Sequence, residues 1–331
     1  MPKPDHRATK THYHYPHGSK LLSVIKLAIT VALAAQLWLF CQFGITPNEA
    51  AAIASKVSNN NVSSDTAHEA TLVNETPSSS VAVSTSTPHQ PPVWNTSARV
   101  CDERPVQLDQ TWYKSQSGED RELQKRFFTD LCKGRYLEIG GLNGVRFSNS
   151  FVYNKGLNWT GVLVEASPQS YRELIKNRPN EIANVHAGVC EKEMDLHWVE
   201  SARDPAVRGF REFAAPSFQK QWWSEEATRN AEVVKCQPLE KILHEKVGAE
   251  FYFDFFTLDV EGAELSVLRS INFDLVGFGV IVMEADDHNT TKNMVARELL
   301  ESNGYVYLED KSRSSWFRNK DFESIYSYVE P

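Results

Sequence analysis

Apolar and polar positions divide the chain into three parts. Residues 27–45 form an apolar run without a formal charge, and residues 46–97 are rich in Ser, Thr, Asn and Pro. From about residue 101, short apolar strand patterns alternate with helical ones. Apolar strands joined by helices are typical of a mostly parallel sheet that helices cover on both faces. We therefore predict an α/β, Rossmann-like domain over residues 100–331.

The periodicity of this domain predicts its elements one by one. The predicted helices are residues 120–132, 170–177, 239–246, 263–270 and 291–302, and the predicted strands are residues 136–139, 161–165, 183–190, 194–200, 253–259, 279–284, 305–308 and 324–328. Acids and glycines stand where several of these strands end. Ligands bind open α/β sheets outside the carboxyl ends of the strands, so we expect the functional site at that edge.

The apolar run predicts a membrane anchor. Its 19 residues would span roughly 28 Å as a helix, close to the ~30 Å hydrocarbon core of a bilayer. Basic residues precede the run and acids follow it, so residues 1–20 are predicted to be a cytoplasmic tail and residues 21–45 a transmembrane signal anchor. A cleaved signal peptide is the alternative interpretation.

Residues 46–99 predict a disordered stalk, because they offer too little apolar surface to offset the loss of chain entropy. Asn-x-Ser/Thr sequons stand at Asn61, Asn74, Asn95, Asn158 and Asn289. An anchor, a stalk and a globular domain form a layout common among Golgi enzymes. We expect a single-pass type II membrane protein of the Golgi or endoplasmic reticulum, with its globular domain in the lumen.

The charge of the chain excludes one class of partner. The formal net charge is −8, and the residues after Ile45 carry 30 basic against 42 acidic side chains. A domain this acidic does not suit nucleic-acid binding, which requires a positive surface. Its four cysteines permit two disulfides in three pairings, which the sequence leaves open: Cys101, Cys132, Cys190 and Cys236. No two of them have metal-ligand spacing, and we predict no metal site.

A glycine-rich turn follows the first predicted strand directly, with Gly140, Gly141 and Gly144 in the segment EIGGLNG. Glycines let the backbone approach a ligand closely, but this spacing departs from the dinucleotide fingerprint, so a diphosphate is not expected. Glu165 ends the second strand, where a carboxylate can accept both hydroxyls of a ribose. The alternative interpretations are that the glycines form only a tight strand–helix connection and that Glu165 is only a solvated acid at the end of a strand. In combination, turn and acid predict S-adenosylmethionine as the cofactor.

A second group of acids follows the strand at residues 253–259. Asp259 and Glu261 would reach the carboxyl edge, where they could stabilise a sulfonium, orient a substrate hydroxyl or accept its proton. Capping of the next helix is the alternative. Asp259 is the first candidate for the base, Glu261 the second, and His288 and His186 follow.

Glu284 ends the next predicted strand and repeats this arrangement. Directly after it, Asp286, Asp287 and His288 could bind a metal ion or supply a base, but the pattern favours a solvated loop. Residues 201–232 interrupt the regular alternation and contain a pair of tryptophans, Trp222 and Trp223. They predict either a lid or acceptor wall over the site, or a surface excursion that the tryptophans pin down.

Five segments resemble the FkbM-type methyltransferases, which use S-adenosylmethionine to methylate hydroxyl groups: YLEIGGLNG, GVLVEASP, NVHAGVC, CQPLEKIL and FFTLDVEGAELSVLRSINFD. The resemblance extends from about residue 136 to 308 and implies a sheet of seven strands. It also implies cofactor contacts at Glu138, Gly140, Gly144 and Glu165, with Asp259 and Glu261 at the transfer site. Gly141, in place of the usual alanine, and Ala166, in place of a frequent proline, depart from the family pattern.

The expected function is therefore S-adenosylmethionine-dependent O-methylation of a hydroxyl acceptor, for which a luminal location suggests a glycan. The anchored layout is also similar to that of Star, an insect type II membrane protein with a related domain that acts in growth-factor trafficking. A non-catalytic trafficking or binding protein that keeps the methyltransferase fold is therefore the alternative.

Overall fold

The computed structural model describes residues 92–201, 203–248, 251–285 and 289–328. The predicted tail, anchor and most of the stalk lie outside these residues, and so do Asp286, Asp287 and His288. Within the described ranges, no helix combines the length and the apolar character needed to cross a bilayer.

Thirteen strands lie in the described residues. They are β1 (Arg99–Val100), β2 (Leu131–Cys132), β3 (Arg135–Ile139), β4 (Thr160–Glu165), β5 (Ala183–His186), β6 (Gly188–Val189), β7 (Met194–Val199), β8 (Gly209–Phe210), β9 (Glu232–Gln237), β10 (Phe251–Leu258), β11 (Val276–Glu284), β12 (Tyr305–Lys311) and β13 (Ser314–Asn319).

The α-helices alternate with these strands over most of the domain. They are α1 (Glu119–Arg126), α2 (Phe151–Leu157), α3 (Pro168–Asn177), α4 (Pro216–Trp222), α5 (Glu225–Arg229), α6 (Leu239–Val247), α7 (Glu264–Arg269), α8 (Thr290–Ser302) and α9 (Phe322–Ile325). Short 3-10 turns occur at Gln110–Trp112 and Pro205–Val207.

The main sheet has seven strands in the order β12-β13-β11-β10-β3-β4-β5. The neighbouring strands from β5 to β11 pair in parallel, and β13 lies antiparallel between β11 and β12. Thr257 of β10 lies opposite Glu138 of β3 on one side and Val282 of β11 on the other. This register brings the carboxyl ends of three central strands level, so the acids that follow them meet at one edge of the sheet.

Both faces of the sheet are covered by apolar side chains, as the apolar strand patterns predicted. Leu137, Phe256 and Ile281 are buried on one face, together with apolar residues of α6, α7 and α8. Tyr136 and Phe255 are buried on the other face with the aromatic residues around α1 and α2. Full burial of each such side chain contributes roughly 1.5–3 kcal/mol, so alternate positions along one strand stabilise two different layers.

A smaller sheet of four strands, in the order β6-β9-β7-β8, stands beside the main one. The disulfide Cys190–Cys236 lies next to the pairing of β6 with β9. A second disulfide, Cys101–Cys132, ties β1 to β2. The structure thus has one of the three cysteine pairings that the sequence left open.

Three predicted elements differ from the structure. The predicted strand at residues 324–328 is wrong, because α9 occupies this region and the final strand is the earlier β13. The predicted strand at residues 183–190 is two strands, β5 and β6, that belong to different sheets. The predicted helix at residues 120–132 ends at Arg126, because Leu131 and Cys132 pair with β1 instead.

Candidate active site

A cleft of about 870 Å³ lies at the carboxyl edge of the main sheet. The ends of β3, β4 and β10 contribute Gly140, Glu165 and Asp259 to its lining. Three of the predicted site residues, which come from three different strand ends, therefore line one cavity.

Gly140 is required by the close approach of two strand ends. It has a φ of +88°, and a Cβ built on it would lie 1.9 Å from the backbone oxygen of Asp259. The backbone amide of Asp259 donates a hydrogen bond to the carbonyl of Ile139 at 3.2 Å. No other residue type fits this position, and the contact sets the distance between the glycine turn and the catalytic candidates.

Glu165 is buried and holds the glycine turn in place. Its carboxylate accepts hydrogen bonds from the backbone amides of Leu142, at 2.8 Å, and Ser167, at 2.7 Å. Burial raises the pKa of Glu165 to about 7, although these two hydrogen bonds oppose the shift. The carboxylate oxygens keep further lone pairs, so Glu165 can still accept hydroxyl groups from a ligand in the cleft.

Glu138 also lines the cleft, but its hydrogen bonds fix the loop after the glycine turn. It accepts hydrogen bonds from the backbone amide of Asn149 at 2.8 Å, the Ser148 hydroxyl at 2.9 Å and the Ser150 hydroxyl. Burial raises the pKa of the Glu138 carboxyl, and these hydrogen bonds oppose that shift. Glu138 therefore positions the wall of the cleft, and its predicted contact with the cofactor stays a prediction.

Gly141 and Gly144 make room for helix α3 and lie outside the lining of the cleft. A Cβ on Gly141 would lie 3.2 Å from a methyl carbon of Leu174, and one on Gly144 would lie 2.6 Å from Cγ of Arg178. The cofactor contacts predicted for these two glycines remain predictions. Their observed function is to let the turn pack closely against the helix that follows β4.

Arg178 is a positioning residue that the sequence did not reveal. It is 1% exposed, and its guanidinium donates hydrogen bonds to the Glu181 carboxylate, the Gly144 carbonyl and the hydroxyls of Tyr136, Ser148 and Ser150. These five contacts match the five N–H donors of an arginine. Because Ser148 and Ser150 in turn hold Glu138, Arg178 ties the glycine turn to the loop behind it.

Replacing Arg178 with Met should destabilise the fold by about 3–5 kcal/mol, because Glu181 and Glu138 would be left buried without their cation. Urea denaturation of the variant measures this free energy. Arg172→Met is the matched control, since Arg172 lies exposed on the same helix and should change stability by about 0.5 kcal/mol or less. Equal effects of the two substitutions would contradict the assigned role of Arg178.

The segment after β7 forms part of the cleft wall. Trp198 of β7 and Phe210 of β8 line the cleft and contact each other edge to face, with ring centroids 5.0 Å apart. Arg208 also lines it and forms an ion pair with Glu200 at 2.7 Å. A Cβ on Gly188 would lie 2.7 Å from the Phe210 ring, so β6 and β8 meet closely at this wall. Pro205, Ala206, Arg208 and Phe210 therefore line this cleft, and the lid or acceptor wall predicted for residues 201–232 stays a prediction.

The two tryptophans predicted for that wall lie elsewhere. Trp223 is buried in a cluster with Val199 and Phe218, and its indole N–H donates to the carbonyl of Val207 at 2.7 Å. Trp222 packs against the same cluster, and neither tryptophan lines a described cavity. The two tryptophans therefore anchor the segment at residues 201–232 to the domain, as the second interpretation of this segment predicted.

Asp259, Glu261 and Glu284 meet at the mouth of the cleft. Each offers a carboxylate oxygen, and these oxygens all lie within 4.8 Å of one another, close enough to hold a divalent cation. The sequence led us to predict no metal site, and the one acidic cluster that it suggested for a metal ion was the loop after Glu284. The register of β10 with β11 brings this other trio together.

The carboxyls of Asp259 and Glu284 affect each other's protonation. Burial, and then the negative charge of Asp259, raise the pKa of Glu284 well above its usual range, although Arg313 opposes the shift from 2.9 Å. Desolvation by the surrounding protein raises the pKa of Asp259, although the residue remains partly exposed to solvent, and a hydrogen bond from Glu284 lowers this pKa in part. We infer that Glu284 keeps its proton and that Asp259 carries the negative charge.

The turn after Asp259 is strained at one position and held by an acid. Glu261 has a φ of +56°, in the left-handed region that costs a non-glycine residue roughly 1–2 kcal/mol. Glu264 accepts hydrogen bonds from the amides of Val260 and Gly262, and burial raises its pKa to about 7. Backbone strain of this kind concentrates at functional sites, and here it directs Glu261 toward the cleft that it lines.

The two predicted histidines do not contribute to the described site. His288 lies outside the described residues. His186 is exposed at the end of β5, where its ring stacks on Tyr171 with centroids 5.0 Å apart and Nε2 lies 3.1 Å from the Ala166 carbonyl. It does not line the cleft.

A second cleft of about 440 Å³ adjoins the first one. Gln116, Phe147, Asn149 and Asp259 line both cavities. The second cleft extends toward the β12–β13 turn and contains Glu284 and Arg313. Asp259 therefore stands where the two cavities meet.

The fold and the cleft place the protein in the methyltransferase-like class of α/β proteins. The main sheet has seven strands, one of them antiparallel, and its carboxyl edge carries a cleft with a glycine turn and a strand-end acid. The family model described as the methyltransferase FkbM domain matches residues 138–307, just over half of the chain. The chain belongs to this family. Both the resemblance noted in the sequence and the predicted class, a methyltransferase, are confirmed at the level of the family.

Solved structures resemble the chain only distantly. A methyltransferase FkbM from Methylobacillus flagellatus is 12% identical, with 56% of this chain and 43% of that chain covered and a TM-score of 0.35. A TehB-like SAM-dependent methyltransferase from Corynebacterium glutamicum is 12% identical, with coverages of 62% and 89% and a TM-score of 0.33. Aeropyrum pernix fibrillarin, solved with natively bound S-adenosyl-L-methionine, is 12% identical, with coverages of 62% and 75% and a TM-score of 0.32. No curated protein matches the chain.

Proposed function

We propose that this protein is an S-adenosylmethionine-dependent O-methyltransferase. The observation that carries the proposal is the position of Asp259, which lies between a cleft lined by Gly140 and Glu165 and a second cleft lined by polar side chains. A donor in the first cleft and a hydroxyl in the second would both reach the same carboxylate.

Two unpaired polar atoms support the fit of the cofactor. The Oγ1 atom of Thr257 and the Oδ1 atom of Asn149 are buried without a hydrogen-bond partner, and both residues line the first cleft. Buried polar atoms without a partner are rare and call for a ligand. The ammonium group of the cofactor can donate to such acceptors, while Glu165 can accept from its ribose hydroxyls.

The side chains of the site would perform positioning and proton removal. When bound, S-adenosylmethionine supplies an electrophilic methyl group. Asp259 accepts the proton of the attacking hydroxyl, since a neutral hydroxyl is a poor nucleophile. Glu284 stays protonated and donates a hydrogen bond to Asp259, which keeps the negative charge on the base. Trp198 and Phe210 exclude water from the cofactor cleft, and this strengthens the electrostatic interactions inside it.

The cellular setting is part of the same proposal. The apolar run at residues 27–45 and the Ser/Thr-rich segment after it support a type II membrane protein with its methyltransferase domain in the lumen of the secretory pathway. A glycan hydroxyl is then the acceptor that this location supports.

Protease treatment of intact microsomes should leave the domain uncut, and digestion from the cytosolic side would contradict this topology.

Calorimetric titration of the full-length protein with S-adenosylmethionine tests the catalytic proposal against the non-catalytic alternative. We expect saturable binding with a Kd in the micromolar range, about −8 kcal/mol. No heat at about 1 mM cofactor would favour a protein that keeps the fold without binding the donor. The carboxylates and the glycine turn favour the enzyme, because trafficking contacts would not need them.

The affinity for the cofactor should rise with pH through about 7. Only the ionised form of Glu165 has all its lone pairs free to accept ribose hydroxyls, and its pKa is about 7. Between about pH 6 and about pH 8, Kd should therefore fall by up to about tenfold. Glu165→Gln should remove this dependence. This variant is needed because burial raises the pKa of Glu264 to about 7 as well, so the pH dependence of the unmodified protein alone would not identify Glu165 as its source. A Kd that is constant over this range in the unmodified protein would contradict the prediction.

A further inference from the structure

We propose that the disulfide Cys190–Cys236 completes the cofactor cleft, so that S-adenosylmethionine binds tightly only to the oxidised chain. This inference rests on the proposed function and adds a redox condition to its cofactor site. It is carried by the position of the disulfide, which lies beside the pairing of β6 with β9, and by the cleft residues that the small sheet supplies.

β6 carries one wall of the cleft on a very short strand. Gly188 and Val189 make up the whole strand, and both line the cleft. In the described residues the strand pairs with β9 through two residue pairs, Gly188 with Cys236 and Val189 with Gln237. The amide of Cys190 adds one hydrogen bond, to the carbonyl of Gln237 at 3.2 Å. Because so short a strand is stabilised little by its own pairing, the covalent bond beside it holds this wall in place.

The core of the small sheet depends on the same disulfide. Both half-cystines belong to its cluster of six buried side chains, which also contains Leu196, Trp198, Phe210 and Val234. Trp198 and Phe210 line the cofactor cleft as well. A core of this size supplies little hydrophobic stabilisation, and small folded units commonly rely on disulfides to compensate. Loss of the bond should therefore loosen the aromatic part of the cleft wall together with β6.

The other disulfide offers a comparison within the same molecule. Cys101–Cys132 ties β1 to β2, which form a two-stranded sheet of their own, and neither half-cystine lines a described cleft. The sequence separations of the two bonds are similar, at 31 and 46 residues. Since the chain-entropy contribution of a disulfide rises only with the logarithm of the loop length, both bonds should stabilise the fold to a similar extent. Only the bond in the small sheet should affect cofactor binding.

The redox condition has a consequence for where the protein is active. Formation of the bond takes two electrons and two protons from the two thiols and passes them to a disulfide such as oxidised glutathione, which becomes two thiols. Disulfides persist in the secretory pathway, whereas cytosolic thiols are kept reduced. A chain that met the cofactor in a reducing compartment would therefore bind it weakly, and tight binding would begin only after oxidation.

Alanine variants of the two cysteine pairs test this inference on the full-length protein by calorimetry. Cys190→Ala with Cys236→Ala should raise the Kd of S-adenosylmethionine by about tenfold or more, because only the fraction of molecules with an ordered wall would bind. Cys101→Ala with Cys132→Ala should lower Tm by a similar amount but leave this Kd within about twofold of the original value. The comparison separates a local effect on the cleft from a general loss of stability.

Backbone hydrogen exchange of the unliganded protein supplies a second measurement. The amides of residues 187–190 should exchange at least about tenfold faster in the variant without Cys190–Cys236 than in the other variant. If the first variant does not fold, dithiothreitol can reduce the remaining bond in the folded Cys101→Ala, Cys132→Ala protein, and the same rise in Kd and in exchange is expected.

Unchanged Kd and exchange after loss of Cys190–Cys236 would overturn the redox inference alone, and so would equal rises in Kd for both cysteine pairs. Absent cofactor binding in the unmodified, oxidised protein is a different result. It would refute the proposed function, and the redox inference with it.

Discussion

Asp259→Asn should lower the turnover of methyl transfer by about 10²–10⁴-fold, the usual contribution of a general base. The amide cannot accept the hydroxyl proton, and it also removes the charge that Glu284 supports by its hydrogen bond. Because the side chain keeps its size, the Kd of S-adenosylmethionine should stay within about tenfold of the original value. Labelled methyl transfer and calorimetry on the same preparation separate these two effects.

The matched control for this substitution is Asp195→Asn. Asp195 lies exposed on β7 and lines neither cleft, so its replacement should leave turnover unchanged. Glu284→Gln should lower turnover by a smaller factor of about tenfold, since the amide can still donate a hydrogen bond to Asp259. Full turnover in the Asp259 variant would remove this residue from the base role and direct attention to Glu261.

Gly140→Ala should destabilise the domain by more than about 3 kcal/mol and abolish cofactor binding. The new Cβ would lie 1.9 Å from the backbone oxygen of Asp259, so the ends of β3 and β10 would have to separate. Separation would displace both the glycine turn and Asp259, the proposed base. Urea denaturation measures the loss of stability, and calorimetry measures the loss of binding.

Gly118→Ala isolates the backbone component of this effect. Gly118 has a φ of +89°, nearly equal to that of Gly140, but a Cβ on it would meet nothing within 4 Å. It should therefore cost only the left-handed strain of about 1–2 kcal/mol. If both alanine variants lost the same stability, the close approach at Gly140 would not be the reason for the glycine.

The buried strands of the fold could be predicted because their apolar runs are long and their ends carry glycines or acids. β4, β10 and β11 lie within a few residues of their predicted bounds. The end of the chain was mispredicted because residues 324–328 contain one isoleucine and two tyrosines, residue types that favour strands. Phe322, Ile325 and Tyr326 instead share one face of a helical turn and pack against the aromatic core, a tertiary contact that periodicity does not reveal.

The cofactor side of the site was more predictable than the acceptor side. Gly140 and Asp259 follow a strand directly and Glu165 is the last residue of one, so the rule that ligands bind at carboxyl ends identified them from local sequence. Glu119 and Ser314 lie 195 residues apart and meet only because β13 returns beside β11. Arg178 was also missed, because nothing in its helix indicates that its side chain turns inward to five partners.

The first described residues run along the amino ends of the central strands. The indole of Trp94 stacks on Tyr252 at the start of β10, Thr96 hydrogen-bonds to Asp254, and Tyr328 donates to the Ala98 carbonyl at 2.6 Å. Both ends of the described chain therefore pack at the amino edge of the main sheet, whereas Asp259 lies at its carboxyl edge. The terminal segments of the described residues therefore do not line either cleft, and the acceptor that we propose would approach the opposite edge of the sheet.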